Sequence, residues 1–272
     1  MSFTRIDDLR SADDTRLAFY RSVPSGNPRG DVLVVGGLAE HAGRYPHVAR
    51  ALTDAGWRAF YVDFRGHGQS DGQRGHVAHW ADYVADLRAA LGHLAPGSPI
   101  LAHSMGGLVT LDHLRDAPTA PVRVALSAPL LHPIVKAPRW KLALAGILNR
   151  VAPKLNLGND VPATEVTRHP DIQREYASDP LVFHTVTPRW FFEMEAARER
   201  VLAHAPRYTA PALFIWGTAD KIVSPDSVAK LAADWPAPKQ VTPLPGLYHE
   251  VMNEPERDEV IAQVLGWLAG PG

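Results

Sequence analysis

The stretch Ile100-Leu101-Ala102-His103-Ser104-Met105-Gly106-Gly107 decides how this sequence is interpreted. Its apolar half predicts a buried strand that stops at a serine, and two glycines precede a helix-like segment. A serine in so tight a strand-to-helix turn exposes its hydroxyl above the end of a sheet, where it can act as a nucleophile. The usual pattern is G-x-S-x-G, and Ala102 replaces the first glycine here. The alternative for these five residues is a serine at an ordinary glycine-rich helix entrance.

A nucleophilic serine needs a base and an acid that orients the base. In this kind of strand-turn-helix architecture the acid and then the histidine follow the serine, each after a later strand. The run Ala212–Gly217 predicts a buried strand, and Asp220 lies just beyond it. The next strand-like run ends at Leu244, and His249 follows it. We therefore predict that Ser104, Asp220 and His249 form a catalytic triad.

Each partner also has a structural interpretation. An Asp after a strand is often a turn residue or a helix cap, and the chain contains 13 histidines, so one near a strand end is unremarkable. Asp63, Asp82 and Asp86 are competing acids, but they precede the serine. His103 adjoins the serine, and because neighbouring strand residues point to opposite faces, we expect it to pack behind the sheet. Chain order and strand-end position favour the triad.

The reaction also needs two backbone N–H groups that stabilise the negative oxygen of a tetrahedral intermediate. The residue after the nucleophile, Met105, supplies one candidate. The strand-like run Val32–Val35 leads into Gly36-Gly37, and the N–H of Leu38 is the second candidate. Alternatively, the two glycines form a plain turn at the end of a strand.

Composition excludes several function classes. The 272 residues carry 28 basic and 29 acidic side chains, a net charge of −1, which argues against a nucleic-acid partner. Because there is no cysteine, disulfides and cysteine-ligated metals are excluded. Fingerprints of dinucleotide, P-loop and H-E-x-x-H zinc sites are missing, so we predict neither cofactor nor metal. The charged Met1–Asp8 segment and the lack of a long apolar run predict a cytoplasmic protein.

Strand-like runs alternate with helix-like segments through most of the chain, which predicts a doubly wound, mostly parallel α/β sheet. Residues 3–8 and 16–23 predict an antiparallel hairpin at the edge of that sheet. The alternation breaks between residues 130 and 206. We therefore predict a core formed by residues 1–129 and 207–272, with residues 130–206 inserted as a helical lid.

The predicted lid carries more large apolar residues than one helix face can bury. Most of them could form the small core of the insertion itself. We expect others to line a pocket for an acyl chain or to make transient contact with a membrane surface. The oligomeric state stays open. The candidate substrate-binding residues of the lid are Trp140, Leu144, Ile147, Leu148, Trp190 and Met194.

Several segments together resemble the monoacylglycerol lipase and lysophospholipase branch of the α/β-hydrolases, which is related to the S33 serine aminopeptidases. The resemblance covers nearly the whole chain. It implies hydrolysis of a carboxylic ester with a medium or long acyl chain and a small alcohol such as glycerol, by a serine, an acid and a base at Ser104, Asp220 and His249. The matching segments, in the order of the family, are Gly37–Tyr45, Asp63–Gly72, His103–Gly107, Tyr176–Leu181, Gly217–Asp220 and His249-Glu250.

Three positions depart from the family pattern. Gly36 replaces a histidine whose side chain usually braces the oxyanion loop in the family, so this loop is either held by other contacts or more mobile here. Ala102 replaces the first glycine of the serine turn. Met252 stands where mammalian members have a second histidine, so recognition of the alcohol cannot be transferred from them.

The sequence thus predicts a serine hydrolase that cleaves carboxylic esters of small lipids, such as monoacylglycerols, through an acyl-enzyme. Two alternatives stay open. One is an aminopeptidase or amidase of the same superfamily, which turnover of aminoacyl amides would reveal. The other is a catalytically silent hydrolase fold that binds a lipid-like ligand.

Overall fold

The sheet of this computed structural model places the carboxyl ends of its parallel strands along one edge. The structure describes residues 2–117, 123–134, 139–159 and 161–270, and all strand and helix counts refer to these residues. The ten strands are β1 (Thr4–Arg10), β2 (Arg16–Ser22), β3 (Asp31–Val35), β4 (Arg58–Val62), β5 (Ile100–His103), β6 (Val124–Ser127), β7 (Leu157–Gly158), β8 (Thr185–Val186), β9 (Ala212–Gly217) and β10 (Lys239–Leu244).

Eight of the described strands form one sheet in the order β1-β2-β4-β3-β5-β6-β9-β10. The β1–β2 and β2–β4 pairs are antiparallel, and the other pairs are parallel. Every residue of β3, β5, β6 and β9 is buried, as expected for strands covered on both faces. The predicted α/β-hydrolase fold with an N-terminal antiparallel hairpin is confirmed.

Helices cover both faces of the sheet. Four of them, including the one that begins at Pro46, start with a proline, which has the φ of a helix and lacks only an N–H that would be unpaired there. No helix within the described ranges has the length and apolarity needed to cross a bilayer. The helices are α1 (Pro46–Asp54), α2 (Trp80–Leu91), α3 (Ser104–Asp116), α4 (Arg139–Val151), α5 (Ala163–Val166), α6 (Pro170–Ser178), α7 (Pro188–His204), α8 (Pro225–Asp234) and α9 (Arg257–Ala269).

The described part of residues 130–206 adds no strand to the large sheet and contributes α4 to α7 together with the β7–β8 pair. It contacts the rest of the chain through buried apolar side chains of α7, such as Trp190 and Met194, and through polar groups. His41 Nε2 lies 2.8 Å from Asp179 Oδ2, and the Arg44 guanidinium lies 4.9 Å from the centre of the Tyr176 ring. The Tyr176–Leu181 segment of the family resemblance is therefore a contact point between this region and the loop that follows β3. Its designation as a lid stays a prediction.

The competing acids Asp63, Asp82 and Asp86 all have structural partners. Asp63 accepts hydrogen bonds from the Tyr20 hydroxyl and from backbone N–H groups at 2.9–3.0 Å. The Asp86 carboxylate binds the Arg65 guanidinium through two hydrogen bonds of 2.9 and 2.6 Å. Asp82 accepts the N–H of His79 at the start of α2. These contacts fix the loop after β4, which lies beside the catalytic edge of the sheet.

Gly68 packs against Asp63 in that loop. It has φ +47°, and a Cβ atom there would lie 2.0 Å from Asp63 Oδ2. We expect Gly68→Ala to lower the free energy of unfolding by about 2–4 kcal/mol, because it adds both backbone strain and a clash with a buried carboxylate. Urea unfolding followed by circular dichroism measures this change.

Gly266→Ala is the matched control, because Gly266 lies in α9 with nothing within 4 Å of its Cβ position. It should raise the free energy of unfolding by about 0.5–1 kcal/mol, the difference in helix propensity. Equal effects of the two substitutions would contradict this account of the loop.

Candidate active site

Ser104 occupies a strained turn between β5 and α3. Its φ is +49°, a left-handed value that non-glycine residues adopt only where the surroundings enforce it. The turn is held from the neighbouring strand, since the Gly106 N–H donates to the Gly36 carbonyl at 3.1 Å. A Cβ atom at Gly106 would lie 2.5 Å from that same oxygen, so only glycine fits. Ala102 does not prevent the turn from forming.

The structure brings Ser104, His249 and Asp220 together. His249 Nε2 lies 2.9 Å from Ser104 Oγ, and His249 Nδ1 lies 2.7 Å from Asp220 Oδ2. The other oxygen of Asp220 accepts the N–H groups of Ile222 and Val223 at 2.8 and 3.0 Å. The carboxylate is thus fixed by its own loop, and with the proton on Nδ1 the histidine presents a free Nε2 to the serine hydroxyl.

The charges at this site favour a basic histidine. Burial alone would lower the pKa of His249, but the Asp220 carboxylate and its hydrogen bond outweigh burial and raise that pKa. Burial alone would likewise raise the pKa of Asp220, yet His249 and the two backbone donors lower it. Asp220 is therefore ionised at neutral pH, and its charge would stabilise an imidazolium at His249.

The two candidate oxyanion donors are unpaired. Among the described residues, the backbone N–H groups of Leu38 and Met105 have no hydrogen-bond partner. The preceding N–H, that of Gly37, donates to Glu40 Oε2, which fixes the loop that carries Leu38. Leu38 lines the same cavity as the Ser104 side chain. Both free N–H groups are available to a negative oxygen, and their catalytic role stays a prediction.

A buried charge cluster that sequence reasoning missed connects the loop after β3 to the loop that carries His249. Arg44 Nη2 donates to both Glu250 oxygens, at 2.8 and 2.6 Å, and Arg44 Nε lies 3.6 Å from Glu40 Oε1. Burial alone would raise the pKa of Glu40, but His103, Arg44 and two donated hydrogen bonds lower it. Burial raises the pKa of Glu250, and the repulsion of Glu40 adds to the rise. Glu40 and Arg44 stand four residues apart within the Gly37–Tyr45 segment that resembles the family. A charged pair in that motif is the feature from which the cluster could have been predicted.

A cavity of about 420 Å³ opens above Ser104 and His249. Of the six predicted lid residues, Trp190 and Met194 line it. Trp140, Leu144, Ile147 and Leu148 do not line the cavity within the described part of the chain, and their part in substrate binding stays a prediction. The helical phase of α4 turns Lys141, Leu142 and Ala145 toward the cavity, and leaves Trp140 and Ile147 outside with 64% and 60% exposure.

His103 also lies elsewhere than expected. It lines the cavity instead of packing behind the sheet, and its ring centre is 4.8 Å from that of His249. The reason is that β5 ends at His103, so alternation along the strand no longer decides where the side chain lies. Its Nδ1 lies 3.1 Å from the Ser127 carbonyl oxygen, and burial lowers its pKa to about 4. His103 is therefore a neutral neighbour of the base.

No group of three His, Asp or Glu side chains in the described ranges is arranged to hold a metal ion.

Comparison with known proteins identifies the family. The model of the hydrolase family described as Serine aminopeptidase, S33, matches residues 26–256. The chain belongs to this family. Its relatives are lipases of the α/β-hydrolase superfamily, and the prediction of a carboxylic ester hydrolase is confirmed.

Relatives match over nearly the whole chain. A monoacylglycerol lipase of Mycolicibacterium smegmatis is 33% identical, over 93% of this chain and 92% of the relative. A monoglyceride lipase of Rattus norvegicus is 30% identical, over 96% and 89%. The crystal structure of the monoacylglycerol lipase of Paleococcus ferrophilus has a TM-score of 0.86 and 30% identity, and covers 93% of this chain and 98% of that one. The predicted monoacylglycerol lipase branch is confirmed.

We expect Asp220→Asn to lower the pKa of His249, because the substitution removes the carboxylate charge while burial continues to disfavour the imidazolium. The rate of ester hydrolysis should fall roughly 10³–10⁴-fold, as it does when the acid of a catalytic triad is replaced. In the unchanged protein the raised pKa means that kcat/KM falls as the pH drops through a value above 6.5. NMR titration of His249 and the pH profile of kcat/KM measure both effects.

Asp226→Asn is the control, since Asp226 is an exposed carboxylate six residues along the chain in α8. It should change neither the titration of His249 nor the rate. A His249 pKa that stays the same in Asp220→Asn would show that the hydrogen bond seen here does not set the basicity of the site.

Proposed function

We propose that this protein is a serine hydrolase that cleaves monoacylglycerols, or closely related lipid monoesters, through an acyl-enzyme. The observation that carries the proposal is the chain of hydrogen bonds from Asp220 through His249 to Ser104 at the base of a largely apolar cavity. A hydroxyl, a base and an oriented acid in this geometry are the parts needed for acyl transfer.

In the first half of the reaction, His249 Nε2 takes the proton of the Ser104 hydroxyl while Oγ forms a bond to the ester carbonyl carbon. The carbonyl oxygen becomes negative and accepts hydrogen bonds from the N–H groups of Leu38 and Met105. When the intermediate collapses, the carbon–oxygen bond to the alcohol breaks. His249 then gives its proton to the departing oxygen, and the alcohol leaves with the acyl group on Ser104.

Water completes the reaction by the same steps. His249 accepts a proton from a water molecule, and the oxygen of that water attacks the acyl carbon. The same two N–H groups stabilise the second tetrahedral intermediate, and the proton on His249 returns to Ser104 Oγ as the acyl bond breaks. A fatty acid is released, and the enzyme regains its starting state without any cofactor.

The cavity has both apolar and polar lining residues, as an acyl chain and a small alcohol would need. Leu142, Trp190, Phe191 and Met194 supply apolar surface from α4 and α7. Glu40, Glu250 and Tyr176 also line the cavity and offer polar groups. An ester of a fatty acid with glycerol has this division. Two relatives are named monoacylglycerol and monoglyceride lipases, which supports the assignment.

The outer face of α4 supports brief contact with a lipid surface. Trp140, Ile147 and Val151 are 64%, 60% and 72% exposed, far more than the buried apolar residues of the core. Lys141 and Arg150 on the same helix are also exposed and add positive charge. An apolar face with basic neighbours is the composition of helices that lie on anionic membranes. Such contact would bring an insoluble ester to the cavity mouth.

We expect the purified protein to hydrolyse long-chain monoacylglycerols and to react with a fluorophosphonate probe at Ser104. Ser104→Ala should abolish labelling and reduce hydrolysis by at least about 10³-fold, because the nucleophile is lost. Ser178→Ala removes an exposed hydroxyl on α6 and should match the unchanged protein. Faster release from aminoacyl amides than from any ester would favour the aminopeptidase alternative, and an unlabelled unchanged protein would favour a silent binding fold.

We also expect the double substitution Trp140→Ser with Ile147→Ser to weaken binding to anionic vesicles by at least about tenfold, since burying each side chain contributes about 1.5–3 kcal/mol. Hydrolysis of a soluble short-chain ester should not change. Vesicle co-sedimentation and kinetics on both substrates test this expectation. Val23→Ser with Val241→Ser is the control, because these side chains are 42% and 44% exposed away from α4. Equal losses in both double variants would refute a role for the α4 face.

A further inference from the structure

The oxyanion loop of this protein lacks a side chain at the position that begins it. Gly36 stands where the family that this sequence resembles has a histidine. Hydrogen bonds nevertheless hold the loop in place. The Gly36 carbonyl accepts the Gly106 N–H at 3.1 Å, and the Gly37 N–H donates to Glu40. Some other group must therefore occupy the space beside Gly36 and limit the movement of the Gly36–Leu38 backbone.

Tyr61 of β4 fills that space. A Cβ atom built on Gly36 would lie 2.0 Å from the Tyr61 hydroxyl oxygen and 3.2 Å from the Tyr61 ring carbon that bears it. Tyr61 is only 1% exposed, so this contact is deep in the protein. Glu40 Oε2 lies 3.2 Å from the same point, which makes the phenol, the Glu40 carboxylate and the Gly36 backbone mutual neighbours.

A second route connects Tyr61 to the same loop. The ring of Tyr61 contacts the ring of Tyr45, with 5.5 Å between their centres. The Tyr45 hydroxyl donates to Glu40 Oε2 at 2.6 Å, and this oxygen also accepts the Gly37 N–H. Displacement of Tyr61 would thus loosen the loop directly at Gly36 and indirectly through Tyr45 and Glu40.

We propose that Tyr61 is a positioning residue for catalysis, and that its side chain takes the place of the missing histidine by holding the oxyanion loop from the adjacent strand. Gly36 and Tyr61 form a matched pair, since a side chain at position 36 and a tyrosine at position 61 exclude each other. Tyr61 acts through the N–H of Leu38, two residues after Gly36. The role rests on the proposed acyl-transfer function of the same site.

This role predicts an effect on the chemical step more than on binding. Loss of an oxyanion donor lowers kcat roughly 10²–10³-fold. Tyr61→Ala leaves the Leu38 N–H present but less well placed, so we expect kcat to fall about 10- to 100-fold while KM for a soluble ester changes little. Tyr61→Phe keeps the ring against Gly36 and Tyr45, and its kcat should lie between those of the unchanged protein and Tyr61→Ala.

The decisive experiment is a double-mutant cycle. Gly36→His alone should misfold or lose thermal stability, because the new side chain collides with Tyr61. Combined with Tyr61→Ala, the histidine enters the vacated space, and the double variant should regain both thermal stability and most of the lost kcat. If the double variant regains thermal stability but not kcat, Tyr61 contributes only to packing, and the proposal is overturned. The absence of any recovery would also overturn it.

Tyr208→Ala is the matched control, since Tyr208 is a 2% exposed tyrosine that stacks on Trp235. It should lower thermal stability while leaving kcat per folded molecule unchanged. The cycle separates this inference from the proposed function. If the unchanged protein does not hydrolyse esters, the function fails, but the stability coupling between positions 36 and 61 is still measured. If it does hydrolyse them and the double variant does not recover, the inference alone fails.

Discussion

The hydrogen bond between His249 Nε2 and Ser104 Oγ is the contact on which the rest of this structure depends. Two atoms from residues 145 positions apart lie 2.9 Å from one another, and each is carried by a different turn at the same edge of the sheet. Such a distance needs a strained serine at φ +49°, a histidine oriented by Asp220, and strands that end at one level. The parallel sheet supplies that level, and the loops supply the side chains.

A buried cluster of charged side chains connects two loops beside this hydrogen bond. Arg44 joins Glu40, on the loop after β3, to Glu250, which follows His249 in the chain. Burying three ionisable side chains costs free energy, and the hydrogen bonds and opposite charges between them offset part of that cost. Tyr176 of α6 stacks on the same guanidinium, and the Glu250 N–H donates to the Val166 carbonyl at 2.9 Å. The described part of residues 130–206 thus contacts both loops through Tyr176 and Val166.

The different regions of the chain were predictable to different degrees. Buried strands such as Ala212–Gly217 were predicted at their observed ends, because an all-apolar run bounded by glycine has few other structures. The sequence pattern predicted a helix in the region of α4, but not which of its sides would face the cavity, since Leu142 and Leu144 are equally apolar and only packing decides between them. His103 was misplaced for a related reason. Side chains point alternately to the two faces of the sheet inside a strand, but this rule does not fix the direction of the residue at which the strand ends.

By itself, the sequence determined the fold class, the order of the catalytic candidates along the chain and the family, because these depend on local patterns of polarity and on motifs. Only the tertiary structure decided which atoms meet. Gly36 contacts Tyr61, and Arg44 pairs with Glu250, although nothing in the sequence indicates that these separate segments meet. The physical reason is that a side chain interacts with its neighbours in space. The separation of two residues along the sequence does not give the distance between them in the folded protein.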